Sequence, residues 1–386
     1  MDLPKKLQDK LQKRIDNQSL RKLPEEPHLI DFSSNDYLGL SQDVNVFERA
    51  HEFLKELEIQ SNGATGSRLI SGNHVLYQQT EVFLAEFHNA ESALIFNSGY
   101  DANIGFFSSV PQRGDVILYD ELAHASIRDG ISMSNAKSYK FKHNDLANLE
   151  KLLKRVISSE VEKPQDNQVY IITESVFSMD GDSPDLKKMA ELTHTFGAHL
   201  IVDEAHAVGV FGGQGVGLVQ QTEIEVFARI MTFGKALGCH GAAILGSQKL
   251  KEYLVNFARS FIYTTGLPPH SLATILLSYQ EIMHSNKQRD LLDNISFFKK
   301  KREELSLKEQ FIESDSSIHC CMIQGNKQVK AIAKNLQNQG FDVKPILSPT
   351  VPTGQERIRF CLHAYNTYEE ITDVLTLLRT FVTKSP

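Results

Sequence analysis

From about Glu91 onward the chain alternates short apolar runs with stretches of helical spacing, the runs being SALIF, DVILY, QVYIIT, HLIVD, RIMTF and AAILG. Strands that alternate with helices argue for an α/β fold around a mostly parallel sheet. One connecting helix is punctuated in the sequence itself. Ser183 is placed to cap its start, Pro184 suits its first turn, Leu186, Met189, Ala190 and Phe196 share a face, and Gly197 is placed to end it. Open parallel sheets take their ligands beyond the carboxyl ends of the strands. Those ends carry Asp120, Glu174, Asp203 and Lys235.

The flanks differ from this middle. The N-terminal stretch has helical spacing, with Leu7, Leu11 and Ile15 on one side, and runs into LIDFSSNDYLGLS, so residues 1–40 are expected to form an arm. Beyond about Lys287 come a long charged helical pattern, the run HCCMIQ, a helix stopped by Gly340, the run RIRFCL and a last helix whose start carries a Thr367–Glu370 capping box. At 386 residues the chain exceeds what one hydrophobic core usually supports. A large domain over 41–286 and a smaller α/β domain over 287–386 are therefore expected.

Several classes of function are disfavoured. The formal charge of -7 is spread along the chain and advertises no nucleic-acid partner. Four cysteines, Cys239, Cys320, Cys321 and Cys361, have neither zinc-ligand spacing nor a plausible disulfide framework, so no metal is expected and a reducing cytoplasm fits. The charged start has no signal-peptide run, and no segment is long and apolar enough to span a bilayer. A cytosolic protein with no membrane partner is the expectation.

The stretch MTFGKALGCHGAA, Met231 to Ala243, sets one lysine among small and apolar residues, with no Asp or Glu between Glu225 and Glu252. A lysine desolvated there loses its proton readily and is a candidate Schiff-base former. Upstream, Asp203 ends a strand and His206 follows in DEAH. The same four letters occur in helicases, but a helicase needs a phosphate loop of the form G-x-x-x-x-G-K-S/T, which this chain lacks. The sharper reading joins Asp203 to Lys235 through pyridoxal 5'-phosphate, whose lysine linkage has an acidic partner at the ring nitrogen. NSGYDAN, Asn97 to Asn103, supplies a turn after a strand for the phosphate, and Thr232 a second hydroxyl. DELAHASIRDG places His124 past another strand end for stacking on the ring, and TESVFSMDGD brings Glu174 and Ser178 to the same edge.

Taken with SSNDYLGL, GATGSRLISGN, FKHND, VDEAHAVGVFGGQG, TFGKALG, NFARSFIYTTGLPP, SPTVPTGQERIR and RIRFCL, the ordered motifs cover nearly the whole length. The chain resembles the α-oxoamine synthases, pyridoxal-phosphate enzymes of the aspartate aminotransferase fold, fold type I. The resemblance implies a homodimer with sites at its interface. It also implies condensation of L-alanine with a pimeloyl thioester, pimeloyl-CoA or pimeloyl-acyl carrier protein, giving 8-amino-7-oxononanoate, carbon dioxide and the free carrier in biotin biosynthesis. By the same resemblance Lys235 holds the cofactor and moves the α-proton, Asp203 binds the pyridine nitrogen, and His124 stacks on the ring. His206 and Ser178 reach the phenolic oxygen. Gly99 and Tyr100 hold the phosphate by their backbone and Thr232 by its hydroxyl, with Thr265 arriving from a second subunit. Asn35 and Arg359 face the amino acid, the guanidinium pairing with its carboxylate. Ser67 stands where the family's 5-aminolevulinate synthases carry threonine, which leaves room for alanine's methyl. One segment departs from the family pattern: His363, Ala364, Tyr365 and Asn366 replace a stretch like T-A-A-H. Relatives of the same mechanism, 2-amino-3-ketobutyrate ligase and serine palmitoyltransferase, share most motifs. A non-catalytic binding protein on this fold would have no use for Lys235, Asp203, His124 and Arg359 together.

Overall fold

The structure, a computed structural model, describes residues 3–17, 19–21, 23, 29–158 and 167–383. Parts of the expected arm (1–2, 18, 22 and 24–28), of the expected large domain (159–166) and of the expected small domain (384–386) lie outside them. Contacts divide the chain into two compact units, one of Met1–Asn35, Met179–Asp182 and Asp290–Pro386, the other of Asp36–Ser178 and Ser183–Arg289.

Strand β1 (Ile30–Asp31) belongs to the first of these. The second holds a seven-stranded sheet of β2 (Ser92–Phe96), β3 (Val116–Asp120), β4 (Lys137–Phe141), β5 (Val169–Glu174), β6 (His199–Asp203), β7 (Ala228–Thr232) and β8 (Ala242–Gly246), in the order β2-β8-β7-β6-β5-β3-β4. The sheet is parallel except for β8, which runs antiparallel to both β2 and β7. The fold is thus the expected α/β type, with one reversed strand inside it. Period-two alternation explains why the apolar runs fill both faces. Ile172 and Ile201 pack with Phe106, Ile127 and Phe261 on one side, and Ile171, Leu200 and Val202 with Leu149, Leu153 and Met189 on the other. Each such buried side chain contributes roughly 1.5 to 3 kcal/mol of transfer free energy.

One strand carries no apolar run, and one expected cap is replaced. Strand β4, KSYKF, buries only Phe141; its lysines guard the sheet edge against further pairing. The helix Leu186–Thr195 is capped by Asp185, whose carboxylate accepts the Lys188 N–H at 3.1 Å, and not by Ser183. The end signal holds, since Gly197 adopts φ +60°.

In the other unit β9 (Ile318–Met322), β10 (Phe341–Asp342), β11 (Lys344–Ile346) and β12 (Arg357–Cys361) complete the strands of the described residues. The order β11-β12-β9 is antiparallel, with Arg359 opposite both Lys344 and Cys320. Strand β1 pairs in parallel with β10, so the segment approaching Asn35 is stitched to the C-terminal part of the chain. The helix Lys5–Asp16 carries Leu7, Leu11 and Ile15, all exposed. The last helix, Tyr368–Thr383, starts on the expected capping box: Thr367 N–H donates to Glu370 at 2.8 Å and Glu370 N–H to the Thr367 hydroxyl at 3.2 Å. Gly340, at φ +98°, ends the helix before it.

Candidate active site

The parallel strands converge on one cavity of about 190 Å³, lined by Gly99, Tyr100, His124, Asp203, Thr232 and Lys235 together with Asn103, Ser126 and Glu174. Larger clefts of about 790 and 780 Å³ open elsewhere, around His199 and Phe227 and around Asn89 and Gly246. His199 and Phe227 lie at the amino-terminal side of β6 and β7, the wrong end for ligands of a parallel sheet. Volume alone therefore does not mark the site.

Lys235 follows β7 in a tight loop closed by Phe233 N–H to Gly241 O (2.9 Å), Cys239 N–H to Phe233 O (2.7 Å) and Gly238 N–H to Lys235 O (2.8 Å). Gly238 has φ +63°, and a Cβ there would stand 2.2 Å from the Ser41 nitrogen, so the turn demands glycine. The half-buried lysine places Nζ 2.7 Å from His206 Nε2, and His206 Nδ1 lies 2.7 Å from the Tyr37 hydroxyl. An ammonium only donates, so with Lys235 protonated Nε2 accepts and Nδ1–H donates to Tyr37.

Asp203 is 6 % exposed at the end of β6. Its Oδ1 accepts the Ala205 N–H and its Oδ2 the Asn103 side-chain N–H, both at 2.9 Å. Glu174 pairs in register with Asp203 on the neighbouring strand. It is fully enclosed, and burial, followed by the negative charge of Asp203, pushes its carboxyl up to about 8, against the opposing pull of Lys235 and the His124 N–H. Glu174 Oε1 accepts that N–H at 2.7 Å, which fixes the backbone of His124 at the start of the helix Ala125–Met133.

The helix Gly99–Ser109 begins at the same cavity, capped by Ser98, whose hydroxyl accepts the Asp101 N–H at 3.0 Å. The first-turn N–H groups of Gly99 and Tyr100 have no intrahelical partner, and with the helix dipole they form an anion seat. Thr232 stands beside it: a Cβ on Gly99 would lie 3.6 Å from the Thr232 hydroxyl oxygen. That hydroxyl donates to Gly241 O at 3.1 Å. The Tyr100 side chain turns away to Asp129, donating at 2.6 Å.

The remaining expected residues are not among these lining groups. Ser178 is half-buried beyond the end of β5. Thr265 accepts the Asn97 side-chain N–H on its carbonyl at 2.6 Å. Ser67 closes its own loop, its carbonyl accepting the N–H groups of Ile70 (3.0 Å) and Gly72 (2.9 Å). Arg359 and Asn35 belong to the other unit and meet there, Arg359 Nη2 donating to Asn35 Oδ1 at 2.9 Å and Nη1 contacting Cys361 Sγ at 2.8 Å. Glu174 stands at the strand edge expected of it, though without a named role, and Asn103 ends the NSGYDAN turn; Tyr37 and Ser126 were not expected. Two signals were available: Asn103 falls one helical turn after Gly99, and Ser126 two residues after His124.

A family model described as aminotransferase class I and II matches residues 27–378, and the chain belongs to that family. Within it, the 8-amino-7-oxononanoate synthase of Emericella nidulans is 40% identical over 400 residues, covering 99% of this chain and 97% of the relative. Among solved structures, the 8-amino-7-oxononanoate synthase of Francisella tularensis matches with a TM-score of 0.77 at 30% identity, covering 92% of this chain and 98% of that one. Sphingomonas wittichii serine palmitoyltransferase matches with a TM-score of 0.85 at 26% identity, covering 99% and 98%. These matches and the sheet topology make the fold that of the type I pyridoxal-phosphate-dependent transferases.

Proposed function

We propose that this chain condenses L-alanine with a pimeloyl thioester, releasing carbon dioxide and the thiol carrier and forming 8-amino-7-oxononanoate, the activity named for its relatives. The observation that carries the proposal is the meeting of Lys235, Asp203, His124 and an open helix N-terminus at one cavity. These residues fit pyridoxal phosphate. A buried carboxylate suits a protonated pyridine nitrogen, the helix start and Thr232 suit a phosphate, and Asn103 Oδ1 is buried with no hydrogen-bond partner in the chain alone.

When bound, pyridoxal phosphate supplies an electron-poor ring that stabilises negative charge at the α-carbon of an attached amino acid. Lys235 would anchor it and, once the amino group of alanine has taken its place there, its freed Nζ would take the proton from the α-carbon of alanine. His206, 2.7 Å from that nitrogen, orients it and is itself held by Tyr37. Asp203 keeps the proton on the pyridine nitrogen, and its own orientation is fixed by Ala205 and Asn103. His124 would cover the ring and exclude water, and Ser178 and His206 would serve its phenolic oxygen. Gly99, Tyr100 and Thr232 would hydrogen-bond the phosphate at the helix start, with Thr265 supplied by the second subunit of a homodimer. Arg359, steered by Asn35, binds the amino-acid carboxylate, and Ser67 leaves space for the methyl group. The proposal includes a cytoplasmic location, supported by four free cysteines, and an arm over 1–40 with large and small domains over 41–286 and 287–386. No helix among the described residues is long and apolar enough to cross a membrane.

The test is a panel of alanine, glycine and serine against pimeloyl, acetyl and palmitoyl thioesters of coenzyme A and of acyl carrier protein, with each product weighed by mass spectrometry. Turnover confined to alanine with a pimeloyl thioester supports the proposal. A preference for glycine with acetyl-CoA or serine with palmitoyl-CoA overturns it.

A further inference from the structure

The hydrogen bonds around His124 admit one assignment of donors and acceptors. A carboxylate offers only acceptors, so the amide nitrogen of Asn103 is the atom facing Asp203, and it donates one hydrogen to Oδ2 at 2.9 Å. Its second hydrogen goes to Ser126 Oγ at 3.0 Å. The Ser126 backbone N–H donates to His124 Nδ1 at 3.2 Å, which makes that nitrogen an acceptor, so the Ser126 hydroxyl, 2.8 Å from it, turns its own proton there as the second donor. A ring nitrogen that accepts from two donors carries no proton of its own. Asn103 and Ser126 are 2% and 1% exposed, so solvent does not rearrange the chain of donors.

We infer that Asn103 and Ser126 are positioning residues that hold the His124 imidazole neutral, with its proton on Nε2, and tie that tautomer to the Asp203 carboxylate. Protonating Nδ1 would set a third donor against two already there. The charged groups facing His124 act with this arrangement: its surroundings desolvate it and lower its pKa, Lys235 and Arg128 lower it further, and Asp203 and Asp129 oppose. Glu174 faces it too, accepting its backbone N–H. The consequence rests on the proposed function: a charged His124 would compete with the pyridine nitrogen for Asp203, whereas a neutral one leaves that carboxylate to the cofactor.

The test uses the full-length protein with ring-15N histidine, with and without pyridoxal phosphate, the His124 signals being identified by their loss in His124→Asn. Wild type is expected to show an unprotonated Nδ1 and a protonated Nε2 at neutral pH in the cofactor-free protein. Ser126→Ala removes one of two donors, so the population protonated at Nδ1 rises roughly 2- to 10-fold at a given pH, and Ser126→Thr restores the wild-type pattern. The acid limb of kcat/KM moves upward in Ser126→Ala and returns in Ser126→Thr. A proton on Nδ1 in wild type, or an unchanged ratio in folded Ser126→Ala, overturns the inference; the wild-type spectrum decides even where the variant fails to fold. Because the cofactor-free protein is read first, a wild type that shows this tautomer yet makes no product sinks the proposed function alone, and the converse sinks the tautomer alone.

Discussion

Replacing Asp203 with asparagine changes one oxygen into an amide nitrogen without changing the shape of the side chain. In the wild type Oδ1 and Oδ2 receive N–H donors from Ala205 and Asn103, each at 2.9 Å, in surroundings that leave Asp203 6% exposed. An asparagine offers a single oxygen, so one of these donors faces an N–H group whichever way the amide turns. Under the proposed function the pyridine nitrogen would lose its anionic partner as well. A hydrogen bond to a charged group is worth about 1.5 to 3 kcal/mol, which corresponds to roughly 10- to 150-fold in rate. Loss of the ring proton itself adds to this, so Asp203→Asn should exchange the α-proton of alanine at least about tenfold more slowly. The assay is deuterium uptake from D2O into L-alanine, followed by NMR, with cofactor content measured separately by absorbance. A variant that holds a full complement of cofactor and exchanges at the wild-type rate refutes the assigned role.

Glu174 titrates upward because it is buried beside Asp203, to about 8 from an ordinary value of 4.5. The folded state therefore keeps a proton that the unfolded chain releases, and stability falls as pH rises between those values. Glu174→Gln should remove that slope in urea denaturation series across pH 5 to about 8, and an identical slope in both proteins would contradict the burial argument. Arg359→Lys keeps charge but cannot reach both Asn35 and Cys361, so KM for alanine should rise roughly 10- to 100-fold with kcat less affected. An unaltered KM would free Arg359 from the carboxylate. Burial works against ionisation of Asp31, but the charge of His363 and hydrogen bonds from Ser34 and Ser33 outweigh it and hold the carboxyl down at about 2. The depressed value means stability that is present above the ordinary carboxylate range and lost as pH falls toward 2. Asp31→Asn should thus be less stable than wild type by about 1 to 2 kcal/mol at pH 7, after allowance for partial exposure, with the gap closing in acid.

The large sheet was legible because its strands are buried on both faces and read as unbroken apolar runs, while β4 escaped for the opposite reason. Nothing in AAILG distinguishes a parallel from an antiparallel strand, so the reversal of β8 had to come from the structure. Asp203 and Lys235 stood out by their contrast with apolar neighbours. Asn103 and Ser126 did not, since a buried amide and a small hydroxyl look like helix and cap residues until their partners, far along the chain, are known. The His363-to-Asn366 segment has a structural reason of its own: Asn366 accepts the His363 N–H at 2.9 Å and donates to Asp31 O at 3.1 Å, and Tyr365 donates to Asp31 at 3.1 Å. It braces the turn leading to Asn35, a function that no local pattern announces.

The central claim is that Lys235, in the loop closed by Gly238, is the covalent anchor of the cofactor. Loading the purified protein with pyridoxal phosphate, reducing it with borohydride and mapping the digest by mass tests this directly. The account predicts one phosphopyridoxyl label, on Lys235, absent from Lys235→Ala. A label on any other lysine, or a loaded Lys235→Ala protein that still reduces to a stable adduct, would contradict it.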